Sequence, residues 1–343
     1  MKTYRVVELL GDGISAELSK SVHTVSAAFP FALEFQELDL SEPNRTKRGS
    51  ALYDEAVAAM KATRVALKYP TATVAESPNQ VLRDRCDFAV IHRPVATIPG
   101  IPTNFTKKLD LDIVRIATGG TYDDPGRRVG PDAAVSVRVI ERHPSQHAAR
   151  YAFQLAEKRG GTLVSASKYT IQRATDGLFE EAVDHVAKGF PKVPRRKELF
   201  DALLCNIVMQ PERYSVIVTP NEYGDFLSDM ACGLIGSLGL GDSTSLAFDD
   251  AGAVTLAMFD PAGGTAPDIA GKDVCNPTAA LLALANLVRH LGEDAACRTL
   301  RDVLWSEIGA GRGTRDVGGT KSTSAFSASV AAEVAKRLGG RAP

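Results

Sequence analysis

The sequence predicts an α/β protein in which β-strands and α-helices alternate along the chain. Short apolar, β-branched runs are followed by loops rich in glycine, proline and asparagine, and then by apolar residues at helical spacing. At 343 residues, 44% of them hydrophobic and 24% charged, the composition is ordinary for a globular protein. The chain is long for a single core, so we expect two domains or one large α/β body.

The alternation begins at the N-terminus, where residues 4–10 form a predicted strand and residues 14–25 a predicted helix. The intervening Gly11-Asp12-Gly13 resembles part of a dinucleotide-binding fingerprint, but the third glycine is missing. We therefore do not place a cofactor there. Further strands are predicted at 65–68, 111–116, 132–141, 162–167 and 214–219, and helices at 51–62, 145–158, from 175, around 200–208, and at 226–235, 278–291, 293–308 and 323–338.

The stretch 219–229 carries two acids four residues apart. Asp225 and Asp229 share one face of the predicted helix that follows strand 214–219. Converging carboxylates suit a hard divalent cation, which prefers oxygen ligands. The alternative is that Asp225 only caps the helix and Asp229 is solvated.

Other polar residues stand where α/β proteins place chemistry. Lys168 ends a predicted strand, although it could be an ordinary surface lysine with a buried stem. Asp201 adjoins the apolar stripe of its helix, an unusual place for an unpaired carboxylate. Ser77 and Asn79 lie at the start of a predicted helix that also carries Arg83, where an ordinary cap and a solvated arginine are the alternatives. The Gly/Pro-rich loop 259–272 is long enough to indicate a functional loop.

Composition excludes several classes of partner. A net charge of −1 and a pI near 6.6 argue against nucleic acid or an anionic membrane. The five scattered cysteines include no CxxC pair, which argues for a reducing compartment and against a disulfide framework or a zinc site. We find no signal-peptide pattern, and no apolar run approaches the ~20 residues of a membrane helix. These features predict a cytoplasmic protein.

Taken in order, these residues resemble the β-decarboxylating dehydrogenase family of isocitrate, homoisocitrate and 3-isopropylmalate dehydrogenases. The resemblance covers essentially the whole chain, and two of its segments are highly specific when they occur together: Asn221-x-x-Gly-Asp225-x-Leu-Ser-Asp229 and Thr265-Ala-Pro-Asp-Ile-Ala-Gly-Lys272. The other matching segments are Gly11-Asp-Gly-Ile14, Ser77-x-Asn79-x3-Arg83, Arg93-Pro94, Val114-Arg115, Tyr122, Lys168, Asp201, Gly236-Ser-Leu-Gly-Leu240, Asn276-Pro277 and Thr314-Arg-Asp-x-Gly-Gly319.

The resemblance implies a two-domain fold with a discontinuous first domain. Residues 1–95 and 250–343 would form the cofactor-side domain, and residues 96–249 the dimerisation and metal-site domain. The active sites would be shared within a homodimer. By resemblance, Asp225 and Asp229 with Asp201 of the partner subunit hold Mg²⁺ or Mn²⁺. The remaining roles implied for the site are substrate binding by Ser77, Asn79, Arg83, Arg93 and Arg115, proton relay by Lys168, and protonation of the enol carbon by Tyr122.

The resemblance also implies where NAD binds. The cofactor residues would be Gly264, Thr265, Ala266, Pro267, Asp268, Ile269 and Asn276. A carboxylate at Asp268 accepts hydrogen bonds from ribose hydroxyls and repels a 2′-phosphate, so NAD is expected instead of NADP. Relatives that use NADP tend to carry a Lys-Tyr pair at 268–269.

Three departures from the family pattern leave the substrate open. Gly263 replaces the usual adenine-stacking histidine, Ile116 replaces an acidic residue, and Thr170 replaces an asparagine. Ser77 and Asn79 resemble the isocitrate and homoisocitrate pattern, whereas Thr118-Gly-Gly-x-Tyr122 resembles the isopropylmalate pattern. We therefore expect a substituted malate with a polar or anionic third group, either similar to isocitrate and homoisocitrate or a biosynthetic analogue such as a phosphonomethylmalate. The alternatives are 3-isopropylmalate, tartrate or malate as substrate, or a catalytically silent regulatory subunit.

Overall fold

The structure, a computed structural model, describes residues 1–74 and 76–339, apart from the side chain of Leu238. It contains one large sheet covered by helices, which confirms the predicted α/β class. The strands are β1 Thr3–Leu10, β2 Ala32–Asp39, β3 Val65–Lys68, β4 Phe88–Ala96, β5 Asp110–Ile116, β6 Arg127–Val129, β7 Ala133–Val135, β8 Leu163–Ser167, β9 Arg195–Leu199, β10 Val216–Thr219, β11 Asp242–Phe248 and β12 Val254–Pro261.

The helices lie between these strands and after the last of them. They are α1 Ser15–Ser26, α2 Glu42–Arg48, α3 Ser50–Thr63, α4 Pro78–Arg85, α5 Arg142–Arg159, α6 Thr175–Ala187, α7 Phe200–Met209, α8 Asn221–Leu234, α9 Thr278–His290, α10 Asp294–Gly309 and α11 Thr323–Leu338. Three single-turn 3₁₀ segments occur at Pro211–Arg213, Leu238–Leu240 and Arg315–Val317. No helix of the described residues is long and apolar enough to cross a membrane.

The ten-stranded sheet has the order β2-β1-β3-β12-β11-β4-β5-β10-β8-β9. Its two ends are parallel, as expected where helices connect the strands, but β12, β11, β4 and β5 are paired antiparallel at the centre. This centre aligns two arginines on neighbouring strands, since Ile91 on β4 pairs with Arg115 and Arg93 pairs with Ile113 on β5. The predicted division at residues 95 and 250 stays a prediction, because one continuous sheet runs through both parts.

Apolar side chains from both faces of the sheet form two buried clusters. The larger packs α1, α5 and α9 to α11 against the sheet, and the smaller packs α3 and α4 against β1, β3 and β4. Helix α9 is buried along nearly its whole length, which explains its almost uniformly apolar sequence. All five cysteines are free thiols, in agreement with the predicted absence of a disulfide framework.

The structure differs from the sequence predictions in one strand that was predicted wrongly and in several strands that were not predicted. The strand predicted at 132–141 is wrong, because only Ala133–Val135 is a strand there and α5 already begins at Arg142. The alternation of valines misled because Val135, Val137 and Val139 are all exposed, while on the other face only Arg138 and Ile140 are partly buried. Strands β2, β4, β6, β9, β11 and β12 were not predicted; β9 reads Arg-Arg-Lys-Glu-Leu, a charged edge strand without an apolar pattern.

Candidate active site

Helix α8 carries both aspartates that the sequence predicts to hold a metal. The helix begins at Asn221, directly after the loop that follows β10, so Asp225 lies inside it and Asp229 lies one turn further on. The alternative that Asp225 caps the helix is therefore wrong. Arg93 Nη1 lies 3.3 Å from a carboxylate oxygen of each aspartate. The two acids thus meet at a single positive charge.

Three arginines from separate elements surround Asp225. Arg83 comes from α4, Arg93 from β4 and Arg115 from β5. Arg115 donates from Nη1 to Asp225, although its own side chain is only 2% exposed. The Nε atoms of Arg83 and Arg93 are buried and have no hydrogen-bond partner among the described residues. Such crowding leaves donors available for an anionic ligand.

The pKa values in this cluster follow from burial and from mutual charge. Burial, together with the charges of Arg93 and Arg83, lowers the pKa of Arg115 to about 9. Burial likewise lowers the pKa of Arg83. At Asp225 burial alone would raise the pKa, but the charges of Arg115 and Arg93 outweigh it and lower the pKa. Asp225 therefore stays a carboxylate, while the arginines repel one another and favour any added anion.

Gly224 is required for the close approach of α8 to β5. A Cβ atom at this position would lie 2.6 Å from Cβ and 2.7 Å from Cγ of Arg115. The glycine therefore allows the helix to rest on the stem of the arginine that binds Asp225.

We expect Gly224→Ala to lower the free energy of unfolding by about 1–3 kcal/mol, because the methyl group forces α8 away from Arg115. Thermal unfolding followed by circular dichroism measures this change. Gly233→Ala is the matched control, since it lies in the same helix with open space around its Cα. Equal melting temperatures for the two variants would contradict the role assigned to Gly224.

Tyr122 reaches the same cluster from a loop. Its hydroxyl donates to Asp225 at 3.1 Å, and its ring lies over the guanidinium of Arg115. The loop is fixed by the side-chain amide of Asn221, which donates to the carbonyl of Gly119 at 2.9 Å. Burial and the charge of Asp225 raise the pKa of Tyr122. Its phenol is therefore protonated at neutral pH.

Lys168 and Asp201 form a separate pair within the chain. Lys168 follows β8, Asp201 lies in the first turn of α7, and the lysine Nζ is 2.9 Å from the carboxylate. Among the described residues, Asp201 does not join Asp225 and Asp229 in a common group of metal-ligand oxygens. By resemblance, Lys168 and Asp201 would act in the site of the partner subunit, and this assignment stays a prediction.

The predicted cofactor loop is held against α1. The amide of Ile14 donates to the carbonyl of Thr265 at 3.0 Å, and a side chain at Gly13 would collide with the same carbonyl. The Gly11-Asp-Gly13 segment therefore helps to position this loop. Asp268 is exposed on the loop. Asn276 accepts a hydrogen bond from the amide of Thr278.

The remaining predicted residues lie on α4 and near the departures from the family pattern. Ser77 caps α4 by accepting a 3.4 Å hydrogen bond from the amide of Gln80, whereas the buried Oδ1 of Asn79 has no partner in the part of the chain that the structure describes. Ile116, at the position of the missing acid, is buried in the core. Thr170 lies in the turn after β8, where its carbonyl accepts from Arg173.

Sequence reasoning missed two buried charged groups near the arginines. Lys68 ends β3 and is 2% exposed, and burial lowers its pKa to about 8. Burial raises the pKa of Asp260 on β12, which also has an unpartnered oxygen. Both groups carry electrostatic interactions with Arg83. The sequence did contain one signal for Lys68, since it is a lysine that ends a strand whose other residues are all apolar.

Comparison with known proteins decides the family. The model of the isocitrate/isopropylmalate dehydrogenase family matches residues 4–331, almost the whole chain. The chain belongs to this family. The predicted family and the predicted class, a decarboxylating dehydrogenase acting on hydroxy acids, are thereby confirmed, and NAD with Mg²⁺ or Mn²⁺ are cofactors of the kind used in this family.

Relatives within the isocitrate/isopropylmalate dehydrogenase family differ in substrate. The chain is 36% identical over 334 residues to the isocitrate/homoisocitrate dehydrogenase of Thermus thermophilus, covering 95% of this chain and 97% of that protein. It is 32% identical over 339 residues to the 3-isopropylmalate dehydrogenase of Methanothermobacter thermautotrophicus, covering 98% and 99%. The crystal structure of isocitrate dehydrogenase from Methylococcus capsulatus matches with a TM-score of 0.89 at 30% identity, covering 97% of this chain and 99% of that one.

Proposed function

We propose that the protein catalyses the oxidative decarboxylation of a substituted malate whose third group is polar or anionic. The reaction takes a 2-hydroxy acid with a β-carboxylate to a 2-oxo acid and CO₂, and reduces NAD⁺ to NADH. Isocitrate, homoisocitrate and a phosphonomethylmalate are substrates of this type.

The unpartnered polar atoms of the arginine cluster carry this proposal. Arg83 and Asn79 lie one turn apart on α4, so they share a face of that helix. Each has a buried polar atom without a partner, and Arg83 interacts electrostatically with Arg93 and Asp225. An isopropyl group would leave these atoms unsatisfied, whereas an anionic group can accept from Nε of Arg83 and a group with a hydroxyl can donate to Oδ1 of Asn79.

The residues of the site suit the metal ion and the NAD that this chemistry requires. Asp225 and Asp229 both contact the guanidinium group of Arg93, and their oxygens suit Mg²⁺ or Mn²⁺. Asp201 of the partner subunit would complete the ligand set. The exposed Asp268 suits the ribose hydroxyls of NAD, on a loop that Thr265 fixes against α1. When bound, the metal ion lowers the pKa of the substrate hydroxyl and stabilises the enolate, and NAD⁺ accepts the hydride.

The protein side chains orient the substrate and move its protons. Arg93 and Arg115, with Arg83, hold carboxylates in a fixed orientation through their guanidinium groups. Lys168 of the partner subunit accepts the hydroxyl proton as the alcohol becomes a ketone. After the β-carboxylate leaves as CO₂, Tyr122 donates its phenolic proton to the enol carbon. The raised pKa of Tyr122 supports this role, because it keeps the donor protonated until that step.

These roles require a homodimer with shared active sites, since Lys168 and Asp201 lie apart from the aspartates of α8. The five free thiols support the prediction of a cytoplasmic, reducing location. The division into residues 1–95 with 250–343 and residues 96–249 remains part of the same proposal.

Steady-state kinetics with a substrate panel tests the substrate class. We expect kcat/KM to be highest for a malate with a polar or anionic third group among isocitrate, homoisocitrate, 3-isopropylmalate, tartrate, malate and phosphonomethylmalate. The preference over 3-isopropylmalate should be about 10²-fold or more, because that substrate leaves buried polar groups unpaired. A highest kcat/KM for 3-isopropylmalate would refute the substrate class while leaving the reaction intact.

Two further measurements separate the alternatives. Release of CO₂ in step with NADH distinguishes oxidative decarboxylation from simple alcohol oxidation, and failure to form NADH with any of these substrates would indicate a regulatory subunit. The contacts among Tyr122, Asp225 and Arg115 argue for an active enzyme. A kcat/KM that is higher with NADP⁺ than with NAD⁺ would refute the role of Asp268.

A further inference from the structure

Two histidines that have no role in the proposed reaction face each other on α5. His143 and His147 lie four residues apart and therefore on one face of the helix. Their Nε2 atoms are 3.2 Å apart, and the rings meet edge to face at 81°. Two nitrogens that bind one zinc ion at about 2.0–2.1 Å lie about 3.3 Å from each other. The pair is thus already spaced for chelation.

The surroundings hold this pair in place and favour a cation. His147 is buried and stacks on Phe248, with ring centroids 5.2 Å apart. Burial and the neighbouring His143 lower the pKa of His147, so its ring is neutral and offers a lone pair at neutral pH. The histidines line a cavity of about 500 Å³ that carboxylates from three segments of the chain also line. These are Asp84, Asp87, Asp123 and Glu141, and they outnumber the one positive charge of the lining, Arg83.

We propose that His143 and His147 bind a divalent transition-metal ion of the Zn²⁺ class, separate from the Mg²⁺ or Mn²⁺ of the aspartates. Imidazole nitrogens favour zinc, nickel and copper, whereas the all-carboxylate set favours harder ions. Within the described residues no third ligand atom lies within 4.8 Å of both histidines, so water fills the remaining positions. The surrounding carboxylates add attraction through charge. The cysteine count, which argued against zinc, gives no information about a histidine site.

Another cluster of three potential ligands is less suited to a metal ion. Glu8, His23 and Glu37 lie close together, but the carboxylate of Glu8 already accepts hydrogen bonds from Ser19 and Tyr69 and contacts His23. A metal ion would have to replace these bonds. The histidine pair of α5 has only the contact between its own two rings to lose.

Titration calorimetry with Zn²⁺ tests the site, with millimolar Mg²⁺ present to occupy the carboxylate ligands. We expect one Zn²⁺ per chain in the wild-type protein, and a Kd that rises about 10²-fold in His143→Gln because the chelate is lost. His143 is exposed, so this variant should fold; His147→Gln should give the same loss. The matched control is His185→Gln, an exposed histidine of α6, which should bind Zn²⁺ as the wild type does.

Copper binding followed by electron paramagnetic resonance gives a second readout that is independent of enzymatic activity. We expect nitrogen hyperfine structure from two imidazoles in the wild type and its loss in His143→Gln. Zinc affinity that is unchanged in His143→Gln, or that falls only in Asp225→Asn, would overturn the proposal. Unchanged zinc affinity in His143→Gln would leave the proposed dehydrogenase reaction standing, because neither histidine has a role in that reaction.

Discussion

Replacing Asp225 with asparagine should lower kcat/KM by about 10³-fold. The carboxylate accepts contacts from Arg115, Arg93 and Tyr122 and is a proposed metal ligand. The amide keeps the volume but removes the charge that offsets three arginines. The concentration of Mg²⁺ that gives half-maximal rate should rise as well, because one ligand is weakened.

The same change should also destabilise the folded protein. The Arg115 side chain is almost fully buried, and without Asp225 its charge has no carboxylate partner. We expect the free energy of unfolding to fall by about 1–3 kcal/mol, measured by denaturant unfolding. Asp302→Asn, an exposed position of α10, is the matched control and should change neither quantity. Asp225→Asn activity above a tenth of the wild-type value would refute the role of Asp225.

Mixing two inactive variants should restore activity if the active site is shared between subunits. Lys168→Met removes the proposed proton relay and Tyr122→Phe removes the proposed acid, and each should lower kcat by about 10²–10⁴-fold. In a mixed dimer, one site carries both changes and the other carries neither. Random exchange of subunits gives half mixed dimers, so about a quarter of the wild-type rate should return.

The control for this experiment pairs two changes from the same half-site. Tyr122→Phe mixed with Asp225→Asn leaves one change in every site of the mixed dimer, so no activity should return. Measurement requires unfolding and refolding the mixture, with wild-type protein treated alike to fix the maximum. Equal recovery in both mixtures, or none in either, would contradict the division of the site between Tyr122 and Lys168.

The sequence predicted the elements whose local signals are strong. Helix α9 was expected at 278–291 and runs from Thr278 to His290, because an apolar segment follows an asparagine and a proline that begin it. Most of the proposed site residues were identified by motif and order, and the structure places Tyr122, Asp225, Asp229, Arg93 and Arg115 in one cluster. The order of residues along the chain does not give the distances between their side chains. The contact of Lys168 with Asp201 is therefore known only from the structure.

The failures have physical causes that the local sequence does not contain. Pro220, Asn221 and Gly224 read as a loop, yet α8 runs through Asn221 and Gly224 because the glycine packs against Arg115. Strand β11 is rich in serine and threonine and was missed, since its place between β12 and β4 depends on segments distant in sequence. The buried Lys68 and Asp260 escaped notice because burial is a property of tertiary packing.

The guanidinium group of Arg93 is a counter-ion, within the chain, for the two aspartates of α8. Its Nη1 lies 3.3 Å from oxygens of both Asp225 and Asp229, where a divalent cation would compete with it. A cation that binds there frees the guanidinium for an incoming carboxylate, and a carboxylate that draws Arg93 away exposes the aspartates. If Asp225 and Asp229 hold the metal ion as proposed, each ligand should strengthen the binding of the other by the same factor, because linkage is reciprocal. An anion and a cation would then bind cooperatively, as a pair.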